Sequence, residues 1–526
     1  YILQVVQSLK NEMYIEASID SVWGENTDTL KLYLHIGEQY ELDVLVPDER
    51  VRKSKHPINF LSENMTTTLL SIENQLEYWE NNGYPFAQII WDSLSIDSNR
   101  LQMKAKLEKG PLILFDSLKN REDGKVSEAF LRTYLGMKKE MPYRESLLTE
   151  SDQLLKKLPF VRFVKNSNVH FYGDKATLNV YLASRKVSKF DFLIGLLPNN
   201  KASGKMLITG EARLQLQNAF RRGEEIFFEW KRLRQNSQQL RLRFNYPYIL
   251  QSPIGASGMF FLDKRDSTLL DINWSLGVPF RTKANNYIKA FLENDQSIVL
   301  YTDTIRVKSR KQLPEIQDYS SLLYGMEGYY ENLDYLFNPR RGVELRANAQ
   351  IGTKKIKPNY SIVQLGREYE QLYDTIKLRT LQAQFSASAQ VYLSLSKRQV
   401  AKLAFSGSSK INKGVADNEL YRIGGANLLR GFDEESIFAQ HYIVATAEYR
   451  FILEQNSYFY AFLDAGFVAR KLEEKFRRDF PFGFGAGIAF ETKAGVFGVS
   501  YAVGREQKNP IDFRTSKLHF GYVNIF

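Results

Sequence analysis

Chemistry has few places to reside in this chain. Cysteine is absent, which excludes disulfides, thiolate zinc sites and cysteine nucleophiles, and the five histidines (His35, His56, His170, His441, His519) are widely scattered. None of them has the serine-and-acid context of a hydrolase, so no catalytic residue, metal or cofactor is expected. What stands out is one arginine in a glycine-rich frame and two carboxylates downstream. The frame runs Tyr421-Arg422-Ile423-Gly424-Gly425-Ala426-Asn427-Leu428-Leu429-Arg430-Gly431-Phe432, and Phe462-Leu463-Asp464-Ala465-Gly466 follows it. A guanidinium carried into a confined, poorly solvated space requires a carboxylate, with Asp464 as first choice and Glu448 as second. That chemistry is an electrostatic lock.

The elements that would position the lock read as strands. Alternation puts Phe462, Asp464 and Gly466 on one face and the apolar set Phe459, Ala461, Leu463, Ala465 and Phe467 on the other. The same rule sets Thr446, Glu448 and Arg450 against Ile443, Ala445, Ala447 and Tyr449. From Phe480 to Phe490, alternate positions are apolar, while Gly483, Gly485 and Gly487 line the opposite face. A glycine stripe removes side chains where other backbone must come close, so the Gly424–Phe432 loop is expected to fold back inside a barrel and rest there. Spacing alone equally allows Gly424-Gly425 and Arg430-Gly431 to be ordinary surface turns. Gly483-Phe484-Gly485 is no nucleotide loop, because its phenylalanines keep strand period and no GK[ST] follows.

Period-2 alternation continues from Lys189 to the end. Leu240, Leu242, Phe244 and Tyr246 oppose Arg241, Arg243 and Asn245, and in the final strand Leu518, Phe520, Tyr522 and Phe526 oppose Lys517 and His519. Mean hydropathy is −0.36, and no apolar run approaches the ~18 residues of a membrane helix. A membrane barrel hides its hydrophobicity in every second residue, and the 35 Phe, 30 Tyr and 5 Trp are distributed accordingly. About sixteen antiparallel strands of roughly ten residues are expected, longer than those of a soluble sandwich, the alternative architecture. The net charge of +11 comes from basic residues interleaved with acids, which suits a surface facing anionic lipid and lipopolysaccharide and argues against nucleic acid. Because the chain opens at Tyr1 in a helical pattern, a secretory leader is expected upstream.

The first third repeats with a period of roughly 70–75 residues, each unit giving helix, break, strand, turn and longer strand. The second copy has a helix over Ile72–Trp79, a break at Asn81-Asn82-Gly83-Tyr84-Pro85 and a last strand over Leu101–Leu107. The third has a helix ending at Leu154–Leu158, Pro159 as breaker and strands at Val161–Val164 and Ala176–Leu182. Expected boundaries are 1–38 for a partial module, 39–112 and 113–187 for complete ones, and 188–526 for the barrel. Such α+β modules can stand merely as stacked domains, or can offer an open sheet edge to an extended peptide.

The GG-x4-RGF loop, the F-x-D-x-G strand, the Asn338-Pro339-Arg340-Arg341-Gly342 turn and the repeats with their Gly83-Tyr84-Pro85 break resemble the BamA/TamA superfamily of outer-membrane assembly and translocation barrels. By that resemblance the repeats are POTRA domains in the periplasm. Arg430, Gly431 and Phe432 match the signature of the sixth extracellular loop, and Asp464 its acidic partner. Gly521 and Phe526 fit the terminal strand signal, while Asn524 stands where an apolar residue is usual. The resemblance implies a non-enzymatic assembly or insertion factor, with unfolded outer-membrane proteins as clients and periplasmic or lipoprotein accessory subunits. The alternative is a two-partner-type secretion pore exporting a dedicated passenger.

Overall fold

The computed structural model describes residues 2–26, 29–45, 61–62, 65–185, 187–198, 206–234, 237–282, 285–335, 338–426, 428–472, 475–492, 495–505 and 511–523. Close Cα packing separates two units, one of residues 1–124 with 137–183 and one of 125–136 with 184–526. No helix among the described residues is long and apolar enough to cross a membrane.

The first unit contains small α+β sheets. Helix α1 (Ile2–Asn11) precedes a two-stranded sheet of β1 (Ser18–Asn26) and β2 (Thr29–His35). Next come β3 (Glu41–Leu45), β4 (Leu61–Ser62), helix α2 (Met65–Glu80), β5 (Gln88–Asp97) and β6 (Arg100–Glu108), in sheet order β4-β3-β6-β5. Met13, Leu42, Val44, Ile72, Leu101 and Ala105 form its core. A second sheet has the order β7-β9-β8, from β7 (Leu114–Asn120), β8 (Val161–Tyr172) and β9 (Lys175–Ser184). Both sheets contain a parallel pair, β3 with β6 and β7 with β9, which alternation alone does not reveal. The Gly83 break has φ +96°, donates to the Tyr143 carbonyl at 2.9 Å and accepts from Ile113 N–H at 2.8 Å, so it clamps the end of α2 to the next sheet.

In the second unit, helix α3 (Glu128–Tyr134) packs on the turn at 218–224. Ser127 N–H donates to the Arg221 carbonyl at 2.8 Å, and the Phe130 ring fills the space that any side chain at Gly223 would need.

One antiparallel sheet forms most of the rest of the described residues. It begins with β10 (Lys189–Pro198), β11 (Met206–Gln217), β12 (Glu225–Arg234), β13 (Ser237–Tyr246) and β14 (Ala256–Arg265). It continues through β15 (Leu269–Arg281), β16 (Tyr287–Val299), β17 (Tyr319–Leu333), β18 (Gly342–Ile356), β19 (Arg379–Ser396) and β20 (Gln399–Ile411). A short hairpin, β21 (Tyr421–Ile423) and β22 (Ile437–Ala439), belongs to the loop that follows. The sheet then resumes with β23 (His441–Ile452), β24 (Tyr458–Leu472), β25 (Lys475–Asp479), β26 (Phe482–Thr492), β27 (Gly495–Arg505) and β28 (Lys517–Val523). Although the sheet has seventeen strands, β25 and β26 lie end to end along β24 in one register, interrupted at Pro481, which has no N–H to give the ladder. Among the described residues sixteen staves result, in line with the about sixteen strands expected from the alternation.

The sheet is a barrel because one loop reaches strands far apart in its order. Within residues 412–440, Asn418 donates to Ser297 of β16 at 2.8 Å, Glu419 pairs with Lys354 of β18, Arg430 meets Asp464 of β24, and Asp433 meets Lys517 of β28. No flat sheet could present all four. Cross-strand register keeps the alternation in step around the wall: Gln350 faces Gln384 inside, while Leu345 and Ala389 face out.

Candidate functional site

The 412–440 loop leaves β20 and turns back into the lumen. Gly424 (φ +110°) and Gly425 (φ +103°) give its tight entry, and Asp433, Ser436 and Glu434 crowd the positions where their side chains would be. Buried apolar residues hold it from beneath: Leu429, Phe432, Ile423 and Ile437 pack with Val444 of β23 and Val468 of β24. Both valines lie on the inner face, so the wall offers the loop an apolar seat beside its charged one.

At the tip, all three guanidinium nitrogens of Arg430 donate. Nε and Nη2 donate to the two oxygens of Asp464 at 2.8 and 2.7 Å, and Nη1 donates to Glu448 Oε2 at 2.7 Å. Its backbone N–H also donates to Asp464 Oδ2 at 3.0 Å, and Thr446 Oγ1 donates to Oδ1 at 2.8 Å. The guanidinium carbon lies 3.5 Å from the centroid of the Phe462 ring, a cation–π stack in a site where water is scarce. Side-chain exposure is 12% for Arg430, 1% for Asp464 and 5% for Glu448, so this is a desolvated bidentate pair and not a surface contact. Glu448 then accepts from Arg450 Nε at 2.8 Å, and Arg450 Nη1 donates to Asn338 Oδ1 at 2.9 Å. Asn338, from the Asn338–Gly342 turn, donates to the Gln455 carbonyl at 3.0 Å. One polar chain therefore runs from the loop tip to the turns at the other end of the lumen.

The glycines divide differently from the expected stripe. A Cβ at Gly483 would overlap the Arg430 carbonyl oxygen, and one at Gly504 of β27, which the strand pattern did not single out, would lie 2.5 Å from the carbonyl oxygen of Gly431 (φ +93°). At Gly485 and Gly487 the nearest atoms belong to β24 and β27 and not to the loop, which departs from the expectation of a continuous glycine seat. They make room for the Phe462 and Tyr460 rings of β24, because inward-facing rings on one strand need empty positions on the next. Gly466 opposes Pro481 at the strand interruption and leaves space for Leu429. Gly521 pairs with Gly498, and a Cβ there would meet nothing within 4 Å. Phe526, with Asn524 and Asn427, lies outside the described residues.

These contacts separate two substitutions. Gly483→Ala is expected to push the loop from its seat at a cost of about 1–3 kcal/mol and to open it to added protease, while Gly521→Ala leaves it protected. Equal protection in both variants, measured by limited proteolysis of outer-membrane vesicles, would refute the seat.

Two further contacts tie the loop to the last strand. Gly431 N–H donates to His519 Nε2 at 3.3 Å, and Lys517 Nζ lies 2.7 Å from Asp433 Oδ1. Among the described residues, no group of three or more His, Cys, Asp or Glu could hold a metal ion.

Comparison with known proteins agrees with this architecture. Residues 218–526 match the Omp85 superfamily domain. No curated protein sequence matches the chain. Among solved structures, CdiB from Acinetobacter baumannii is similar at 13% identity, covering 99% of this chain and 96% of its own, with a TM-score of 0.51. CdiB from Escherichia coli is similar at 12% identity, covering 99% and 95%, with a TM-score of 0.50. BamA from Haemophilus ducreyi lacking POTRA domains 1–3 aligns at 16% identity over 91% and 98%, with a TM-score of 0.49. At such identities the likeness is one of fold, and it is the family match over more than half the length that assigns the chain. The chain belongs to the Omp85 superfamily, as an outer-membrane β-barrel preceded by small α+β modules and with a general role in polypeptide insertion or translocation.

Proposed function

We propose that this chain is an assembly factor: its POTRA-like modules receive unfolded outer-membrane proteins, and its barrel inserts them through the seam between β10 and β28. The observation that carries this reading is the condition of that seam. Successive strands from β10 to β28 are joined by ladders, yet among the described residues no pairing joins β10 to β28. Unpaired backbone is intolerable in hydrocarbon, so two such edges either meet weakly or template strands of a client whose own edges have the same need. The loop contacts to Lys517 and His519 place the lock against one of these edges. In the periplasm, β5 ends its sheet and exposes Trp91, Leu94 and Ile96, an apolar edge suited to an extended peptide. The residues in the lock have structural roles, and client folding supplies the driving force with no enzymatic step.

The native chain has no cysteine, which makes the test clean. Cysteine pairs scanned between Lys189–Pro198 and Lys517–Val523, once oxidised, should abolish insertion of client barrels, and reductant should restore it. Insertion at the unlocked rate by a fully cross-linked protein would refute lateral opening. Export of a passenger polypeptide through the locked barrel would instead support the two-partner-type secretion pore.

A further inference from the structure

On the outer face of the sheet lies a groove of ~750 Å³. Its floor is one row of small residues on four adjacent strands, Gly328, Ala347, Ala387 and Gly407, set side by side by the register. Ile288 closes one end of the row and Ile443 the other, five strand spacings away, or roughly 24 Å. Met326 and Phe385 wall one side, Phe405 the other. Alternation puts these residues on the face opposite Gln350, Lys402 and Glu448, so the groove opens to hydrocarbon.

A second feature on the same face gives the groove a polar end. Lys355 of β18 and Arg379 of β19 are directly opposed. Both are exposed, and neither has an ion-pair partner among the described residues. Like charges facing each other across a ladder repel, and an anion bridging them relieves the repulsion. The pair stands where β18 and β19 meet the long 357–378 connection, the extracellular side of a barrel whose periplasmic turns are short. Each cation is eight residues along its strand from the groove floor, Lys355 from Ala347 and Arg379 from Ala387. Eight residues at ~3.3 Å, tilted by about 40°, correspond to a depth of roughly 20 Å, the distance from headgroup to bilayer centre. Beside the floor, Ser409 Oγ and His441 Nδ1 hydrogen-bond at 2.7 Å, a polar pair on the lipid face that an ester or hydroxyl of an acyl chain can join.

We propose that the outer face of β17 to β20 binds one phosphorylated lipid of the outer leaflet, its phosphate held by Lys355 and Arg379 and an acyl chain lying along the Gly328–Gly407 row. Charge and depth together favour this occupant: a free anion would not need the groove, and a second copy of the chain would bring the same cations against these.

The test is native mass spectrometry of the detergent-purified full chain with bisphosphorylated lipid A, its dephosphorylated derivative, or inorganic phosphate. One lipid A should be retained by the unaltered chain, with the dephosphorylated lipid retained about tenfold less. K355E/R379E should lose retention by about tenfold, and A387F, which fills the floor, should do so without removing charge. Heat-modifiable electrophoretic mobility verifies that each variant is a folded barrel. Retention unchanged in either variant overturns the proposal. So does full displacement by equimolar inorganic phosphate, which would mark an ion site alone, or a two-chain adduct lost in A387F, which would mark a protein interface.

Discussion

Arg430→Ala is expected to release the lumenal loop while leaving a barrel that still inserts. The substitution removes three side-chain hydrogen bonds at once and leaves Asp464 and Glu448 buried together without their shared cation. Breaking one side of a desolvated pair costs about 3–5 kcal/mol, because the remaining charge stays out of water. Here Arg450 and Lys402 remain near Glu448, whereas Asp464 keeps only Thr446 and the Arg430 backbone N–H, so the larger penalty falls on Asp464. Arg430→Lys should recover only part of the loss, since a point cation cannot span two oxygens and reach Glu448 as well. Two measurements check this: protease accessibility of the 424–432 segment and the rate of client assembly. Wild-type protection with wild-type assembly in Arg430→Ala would sink the lock. A compensating Asp464→Asn in the same chain should restore part of the stability but not the loop position, because the charge penalty disappears and the clasp does not return.

The lock was legible because its parts obey two local rules. Alternation on β23 and β24 fixes Glu448 and Asp464 on one face regardless of tertiary detail, and an arginine flanked by glycines in a strand-to-strand connection needs an acid wherever it is confined. Sixteen staves were countable for the same reason. Long-range contacts were not legible. Gly504 gives no more signal than any strand glycine until β27 is laid against the loop, and Gly485 and Gly487 looked like a loop seat because period-2 reading fixes the face but not the occupant. Arg450 could be placed inside, but its reach to Asn338 depends on a turn 112 residues earlier in the chain. The parallel strands β3 and β7 escaped notice because each is short and its partner lies across a helix, where no hairpin turn marks the pairing.

Lys354→Met should be the second large effect, for it strips the other end of the loop of its anchor. Lys354 and Glu419 are both fully buried and directly paired. The ammonium also donates to the Gly414 carbonyl at 2.7 Å, and Glu419 accepts from Ala416 N–H at 2.8 Å. Removing the cation leaves a carboxylate inside the wall, again at about 3–5 kcal/mol, whereas Lys354→Met with Glu419→Met should come close to wild type, since an apolar pair of similar volume replaces a buried ion pair at little net cost. The thermal midpoint of heat-modifiable mobility reads the difference, and a double variant as unstable as the single one would show that the pair is not the anchor. The two anchors sit on walls separated by several staves, Lys354 on β18 and Asp464 on β24, so their coupling measures whether the loop acts as one strut. For independent sites the costs of Arg430→Ala and Lys354→Met add. For a strut, the loop already released by the first change has less left to lose, and the second costs clearly less in the double variant than alone. That shortfall would mean seam and lumen respond to a single two-state element, because the same loop also holds β28 through Lys517 and His519.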